Sequence, residues 1–85
     1  MLGGEHSYRS WATVLAAEFE ELQNASYHGR ESLLDHYGAS NPAEFFAVAT
    51  ETFFANPRQM ARHHAELFAV LHDYYRVDPR EWRNE

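Results

Sequence analysis

Apolar residues fall into three runs with helical spacing, parted by two short breaks. In the first run, near 8–24, Trp11, Val14, Leu15, Phe19 and Leu22 recur at intervals of three and four. Glu18, Glu20 and Glu21 lie mostly off that stripe, which predicts an amphipathic helix with Ser7 as its N-cap. A break from Ala25 to Ser40 carries Gly29 and Gly38, and within it Leu33, Leu34 and Tyr37 suit one short helical turn. The second run has the clearest start signal in the chain. Asn41 is placed to cap, Pro42 takes the first helical position, and Glu44 stands where a capping box puts its acid. The spacing predicts a helix over 42–55 with Phe45, Phe46, Ala49, Phe53 and Phe54 inward. Asn56-Pro57 repeats the cap-and-proline device and opens a third helix near 58–77. Its apolar positions are Met60, Leu67, Phe68, Leu71, Tyr74 and Tyr75, and Asp78-Pro79 ends it. No stretch alternates with period two. The expectation is an all-α fold of three main helices, a single helical domain or fragment over 1–85.

At 85 residues and 9.9 kDa the core is small, and with no cysteine no disulfide can staple it. The chain nevertheless has the composition of one that packs, at 45% hydrophobic and 15% aromatic. Six Phe, five Tyr and two Trp are more than three helices hide easily, so association through an exposed aromatic face is a reasonable expectation. Thirteen acids stand against seven arginines and no lysine, for a net charge of −6. This excludes the basic footprint of a nucleic-acid or anionic-membrane binder. The start, Met1 to His6, lacks a basic leader, and the longest apolar runs, Phe45 to Ala49 and Leu67 to Leu71, are far too short to span a bilayer. A soluble, cytoplasmic protein is expected.

The six histidines, at 6, 28, 36, 63, 64 and 72, raise the question of a metal. Chelation from a single helix favours a spacing of four, which no pair here has, and the adjacent His63 and His64 point about 100° apart. HExxH and cysteine-based zinc patterns are both absent. Nucleophile templates are missing too, and Ser40, just before a helix start, reads as a turn residue. The carboxylates are more informative. Glu44 and Glu51 stand seven apart on the second predicted helix, on a strip otherwise made of Val48 and Ala55 and beside the phenylalanines. Acids on an apolar strip need a partner, a metal or solvent. Taken singly, Glu44 also reads as a capping glutamate and Glu51 as a solvated or arginine-paired one.

The stretch from Tyr37 through Gly38-Ala39-Ser40-Asn41-Pro42-Ala43-Glu44-Phe45-Phe46 to Glu51-Thr52-Phe53-Phe54 resembles the Mlc titration factor A family of zinc-dependent peptidases. Leu71 through Pro79 resembles that family's C-terminal stretch, and Trp11 through Leu22 its helix between the two motifs. The resemblance implies the C-terminal helical part of a zincin-like metallopeptidase, in which HExxH supplies two histidine ligands and the catalytic glutamate. Glu44 matches the third zinc ligand. Tyr37 matches a tyrosine able to hydrogen-bond the oxyanion of the tetrahedral intermediate, and Glu51 would support the ligands from behind or serve structure. Peptide would be the substrate and Zn2+ the cofactor, held only together with the missing HExxH segment.

Two departures from the family qualify that reading. Without HExxH the isolated chain is expected to be inactive and to release zinc, as a C-terminal fragment or truncated gene product would. The family also has an internal proline near the position of Ala65, so the third helix is expected to run more smoothly here. The alternative is a free-standing helical module that binds a partner through its aromatic face.

Overall fold

The computed structural model describes the backbone of residues 3–81 and the side chains of residues 11–81. The chain is all-α, and no strand occurs among the described residues. Helix α1 (Gly3–Tyr27) leads through a loop and a 3₁₀ turn (His36–Ala39) into α2 (Pro42–Ala55). Short α3 (Pro57–His63), α4 (Ala65–Tyr75) and a closing 3₁₀ turn (Pro79–Glu81) complete the described chain.

Local chemistry sets most of these boundaries. The backbone is already helical at Ser7, so that residue is not the expected N-cap. Helix α1 ends in paired reverse bonds, Arg30 N–H to the Ala25 carbonyl at 2.8 Å and Gly29 N–H to that of Ser26 at 3.3 Å. Such an ending needs one left-handed residue, supplied by Gly29 at φ 69°. At α2 the Asn41 side chain accepts from the Glu44 N–H at 2.9 Å, with Pro42 in the first turn.

The third expected helix is in fact two. His64, at φ −136° and ψ 58°, is the single residue between α3 and α4. Asn56, between α2 and α3, takes nearly the same conformation at φ −133° and ψ 58°. Its side chain does not cap α3, so the second Asn-Pro works differently from the first. Each junction residue donates its N–H back four residues, to Thr52 and Met60 respectively, at 2.7 Å. Each also accepts from the amide four residues on, Met60 at 3.0 Å and Phe68 at 2.8 Å. At Asn56 the following Pro57 disfavours the helical conformation. Ala65 imposes nothing of the kind on His64. The expectation of a smooth helix through this point therefore fails, although the proline is absent. Helix α4 ends at Tyr75, two residues before the expected Val77, because Arg76 adopts a left-handed conformation at φ 62°.

The core lies where α1's second half, α2 and the α3–α4 pair converge. Phe53, Leu22, Leu34, Met60, Leu67 and Leu71 are fully enclosed there. Each such side chain contributes about 1.5–3 kcal/mol by leaving water. Truncating Phe53, which packs on Phe68 at 5.0 Å and stacks on Tyr75 at 6.0 Å, would cost about 3–5 kcal/mol. Phe54 departs from its expected inward place: it is 36% exposed, its ring set edge-on to Tyr75. Tyr74 is likewise half-exposed, its ring edge-on to Trp11 and Phe46. Among the described residues no helix is long and apolar enough to cross a membrane.

Candidate functional site

Helix α2 carries Glu44 in its first turn and Glu51 two turns later, with buried Val48 between them on the same strip. The loop bearing Tyr37 is pressed against that strip by Gly38. A Cβ on Gly38 would lie 3.1 Å from both Val48 Cβ and Leu22 Cδ2, so any larger residue would force these neighbours to give by a few tenths of an ångström. The turn itself is held by Asp35, whose carboxylate accepts from the Tyr37 N–H at 2.9 Å and whose carbonyl accepts from the Gly38 N–H at 2.9 Å. The turn bearing Tyr37 thus packs on α2 at Val48, which lies between Glu44 and Glu51 in the sequence.

The three side chains differ in surroundings. Tyr37 is 61% exposed, with its ring free of the core. Glu51 is exposed as well, whereas Glu44 is half-buried. The backbone of Glu44 is engaged by Asn41, yet among the described residues its carboxylate has neither a hydrogen bond nor an ion pair. The capping box is therefore only half closed, and the carboxylate is left available. Beside it α1 and α2 enclose an apolar groove of about 310 Å³, lined by Leu15, Ala16, Phe19, Pro42, Phe45 and Phe46.

The histidines are spread around the fold rather than gathered at this surface. His28, His63 and His72 are exposed, and His36 is half-buried beside Tyr37 in the 3₁₀ turn. The side chain of His6 lies outside the described residues. His64 is the exception that spacing could not reveal: its Nδ1 lies 2.9 Å from Glu18 Oε1 on α1. Among the described residues no three His, Cys, Asp or Glu side chains are grouped closely enough to hold a metal ion. A catalytic zinc takes three protein ligands, so the described residues hold no complete site of that kind. Gly38 is the other residue whose role the sequence did not disclose. A glycine inside the turn hinted at a special position, but its close approach to Val48 depends on α1 and α2 meeting.

Residues 1–76 match the model of the glucose-regulated metallo-peptidase M90 family. An uncharacterized protein of Synechocystis sp. is 38% identical over 78 residues, which is 92% of this chain and 28% of that protein. Mlc titration factor A of Edwardsiella ictaluri is 38% identical over 72 residues, covering 82% of this chain and 28% of the relative. The protein of the same name from Serratia proteamaculans is 35% identical over 72 residues, with the same 82% and 28% coverage. This chain thus spans little more than a quarter of the length of the curated relatives it matches. No solved structure matches it. With the model matched over 1–76 and the Pro42–Phe54 stretch at its centre, the chain belongs to the M90 metallo-peptidase family.

Proposed function

We propose that this chain supplies one ligand and one transition-state donor to a zinc-dependent peptidase whose remaining ligands lie on an HExxH-bearing segment. The carrying observation is Glu44: a half-buried carboxylate at a capped helix start, with no hydrogen bond or ion pair among the described residues. In this reading Glu44 is the third zinc ligand. When bound, zinc supplies a Lewis acid and an activated water. Tyr37, on the exposed side of the turn fixed by Asp35 and Gly38, donates its hydroxyl to the oxyanion that forms on the peptide carbonyl. Glu51, two turns along the strip, orients the ligand shell from behind. Peptide is the substrate and the cytoplasm the working compartment, with no nucleic acid or membrane involved.

The test is metal stoichiometry after dialysis, by elemental analysis. This chain by itself should retain no zinc, whereas joined to an HExxH-bearing segment it should retain one zinc per polypeptide. Stoichiometric zinc on the isolated chain would overturn the reading and shift attention to His36 and His72.

A second reading is favoured by the apolar groove and by the half-exposed Tyr74 beside it. In it the chain is a helical interaction module that associates through this aromatic face. Sedimentation equilibrium tests one form of this reading: a dimer at micromolar concentration would support pairing of two copies through this face, and a monomer would leave the face to a different partner.

A further inference from the structure

His64 and Asn56 share one backbone conformation for two different reasons. Pro57 favours the corner at Asn56. No proline or glycine lies at the His64 corner, where Ala61, Arg62, Ala65, Glu66 and Leu67 are all residues that continue a helix readily. What His64 has instead is a tertiary partner. Its Nδ1 meets Glu18 Oε1 at 2.9 Å across 46 residues of chain, with both side chains largely buried at 16% and 19% exposure. The corner and the ion pair thus coincide at one residue.

We propose that the His64–Glu18 pair is a proton-dependent latch on the α3–α4 elbow, closed when the imidazole is charged and loosened when it is neutral. The groups facing the ring come from two other elements. Glu18 and Glu21 project from α1, and Arg30 and Glu31 from the following loop; all four, with His64, line one cavity of about 240 Å³. Of these, the Glu18 and Glu21 carboxylates favour the imidazolium by their charge. The hydrogen bond to Glu18 raises the His64 pKa above its ordinary 6.5; burial opposes the rise, and the charges of Glu18 and Glu21 add to it. A raised folded-state pKa means that the latch is fully present below 6.5 and is lost as pH climbs through the folded value.

The elbow contains its own control. The amide of Phe68 bonds the His64 carbonyl, and that of Met60 bonds the Asn56 carbonyl, at corners of the same geometry. Among the described residues, only the His64 corner has a titrating side-chain partner. Nuclear magnetic resonance of the isotopically labelled chain should follow the His64 ring and the hydrogen-exchange protection of both amides from pH 5 to 9. Phe68 should lose roughly fivefold in protection with the midpoint of the His64 ring, while Met60 stays level. Glu18→Gln should move the His64 midpoint down towards its ordinary value and abolish the Phe68 step. A level Phe68 profile, equal losses at Phe68 and Met60, or an unmoved His64 midpoint in Glu18→Gln would each overturn the latch. The parent profile decides without any variant, so a poorly folded Glu18→Gln protein would not rescue the proposal.

Discussion

Gly38 lies so close to Val48 that a Cβ on the glycine would come within 3.1 Å of the valine's own. This one approach brings the turn carrying Tyr37 onto α2 at Val48, between Glu44 and Glu51 in the sequence. Gly38→Ala should therefore displace the turn or part α1 from α2. Overpacking of this kind costs about 1–3 kcal/mol. A urea midpoint that drops by a corresponding amount is expected, and one unchanged within error would show that the turn has room to give.

Helix α2 was legible because its signals are local. Asn41, Pro42 and Glu44 form a start within four residues, and the amide of Glu44 meets the Asn41 side chain as that start requires. Most of the core was legible for the same reason, with Phe53, Met60, Leu67 and Leu71 at helical spacing. The break at His64 was not. Nothing within four residues of it interrupts a helix, and its partner Glu18 stands on the far side of α2 in the sequence. Phe54 was misjudged because α2 has apolar residues around most of its circumference, so periodicity alone did not say which side would face out. As for the candidate site, spacing could place Glu44 and Glu51 on one strip. It could not show that the Glu44 carboxylate is left without a partner, because that depends on what the rest of the fold brings near.

Tyr37 and Glu51 have separable roles in the proposed peptidase. With the chain joined to an HExxH-bearing segment, Tyr37→Phe should cut turnover roughly 10²–10³-fold while zinc stays bound, as expected for loss of one oxyanion donor. Glu51→Gln should instead weaken zinc by about 10–100-fold. Turnover on a chromogenic peptide, read beside zinc content, distinguishes them. Loss of zinc in Tyr37→Phe would show that the hydroxyl serves the metal or the fold rather than the oxyanion.

The C-terminal turn makes a pH prediction of opposite sign to that of His64. Arg80 forks onto Asp78 through Nη2 at 2.6 Å and Nε at 2.9 Å, and its guanidinium stands 4.6 Å over the Phe68 ring. Hydrogen bonds from the Arg80 side chain hold the Asp78 carboxyl at about 2. A lowered folded-state pKa adds stability that is present above the ordinary 3.8 and is lost as pH falls through about 2. The melting temperature of the parent should exceed that of Asp78→Asn by a gap that holds from pH 7 down to about 4 and closes towards pH 2. A gap already closed at pH 4 would mean that the fork is not maintained in solution.

The most direct test of the account is made on Glu44. Its side chain has no partner to lose among the described residues, and glutamine keeps its length, so Glu44→Gln should leave helicity intact and stability within a few tenths of a kcal/mol. Zinc content and peptide turnover should be measured for this variant and its parent in the polypeptide that includes the HExxH-bearing segment. If Glu44 is a metal ligand, both zinc and turnover are lost while the circular dichroism spectrum and melting temperature match the parent's. A zinc-loaded, active Glu44→Gln protein would contradict the account, leaving Glu44 as no more than a residue of the first turn of α2.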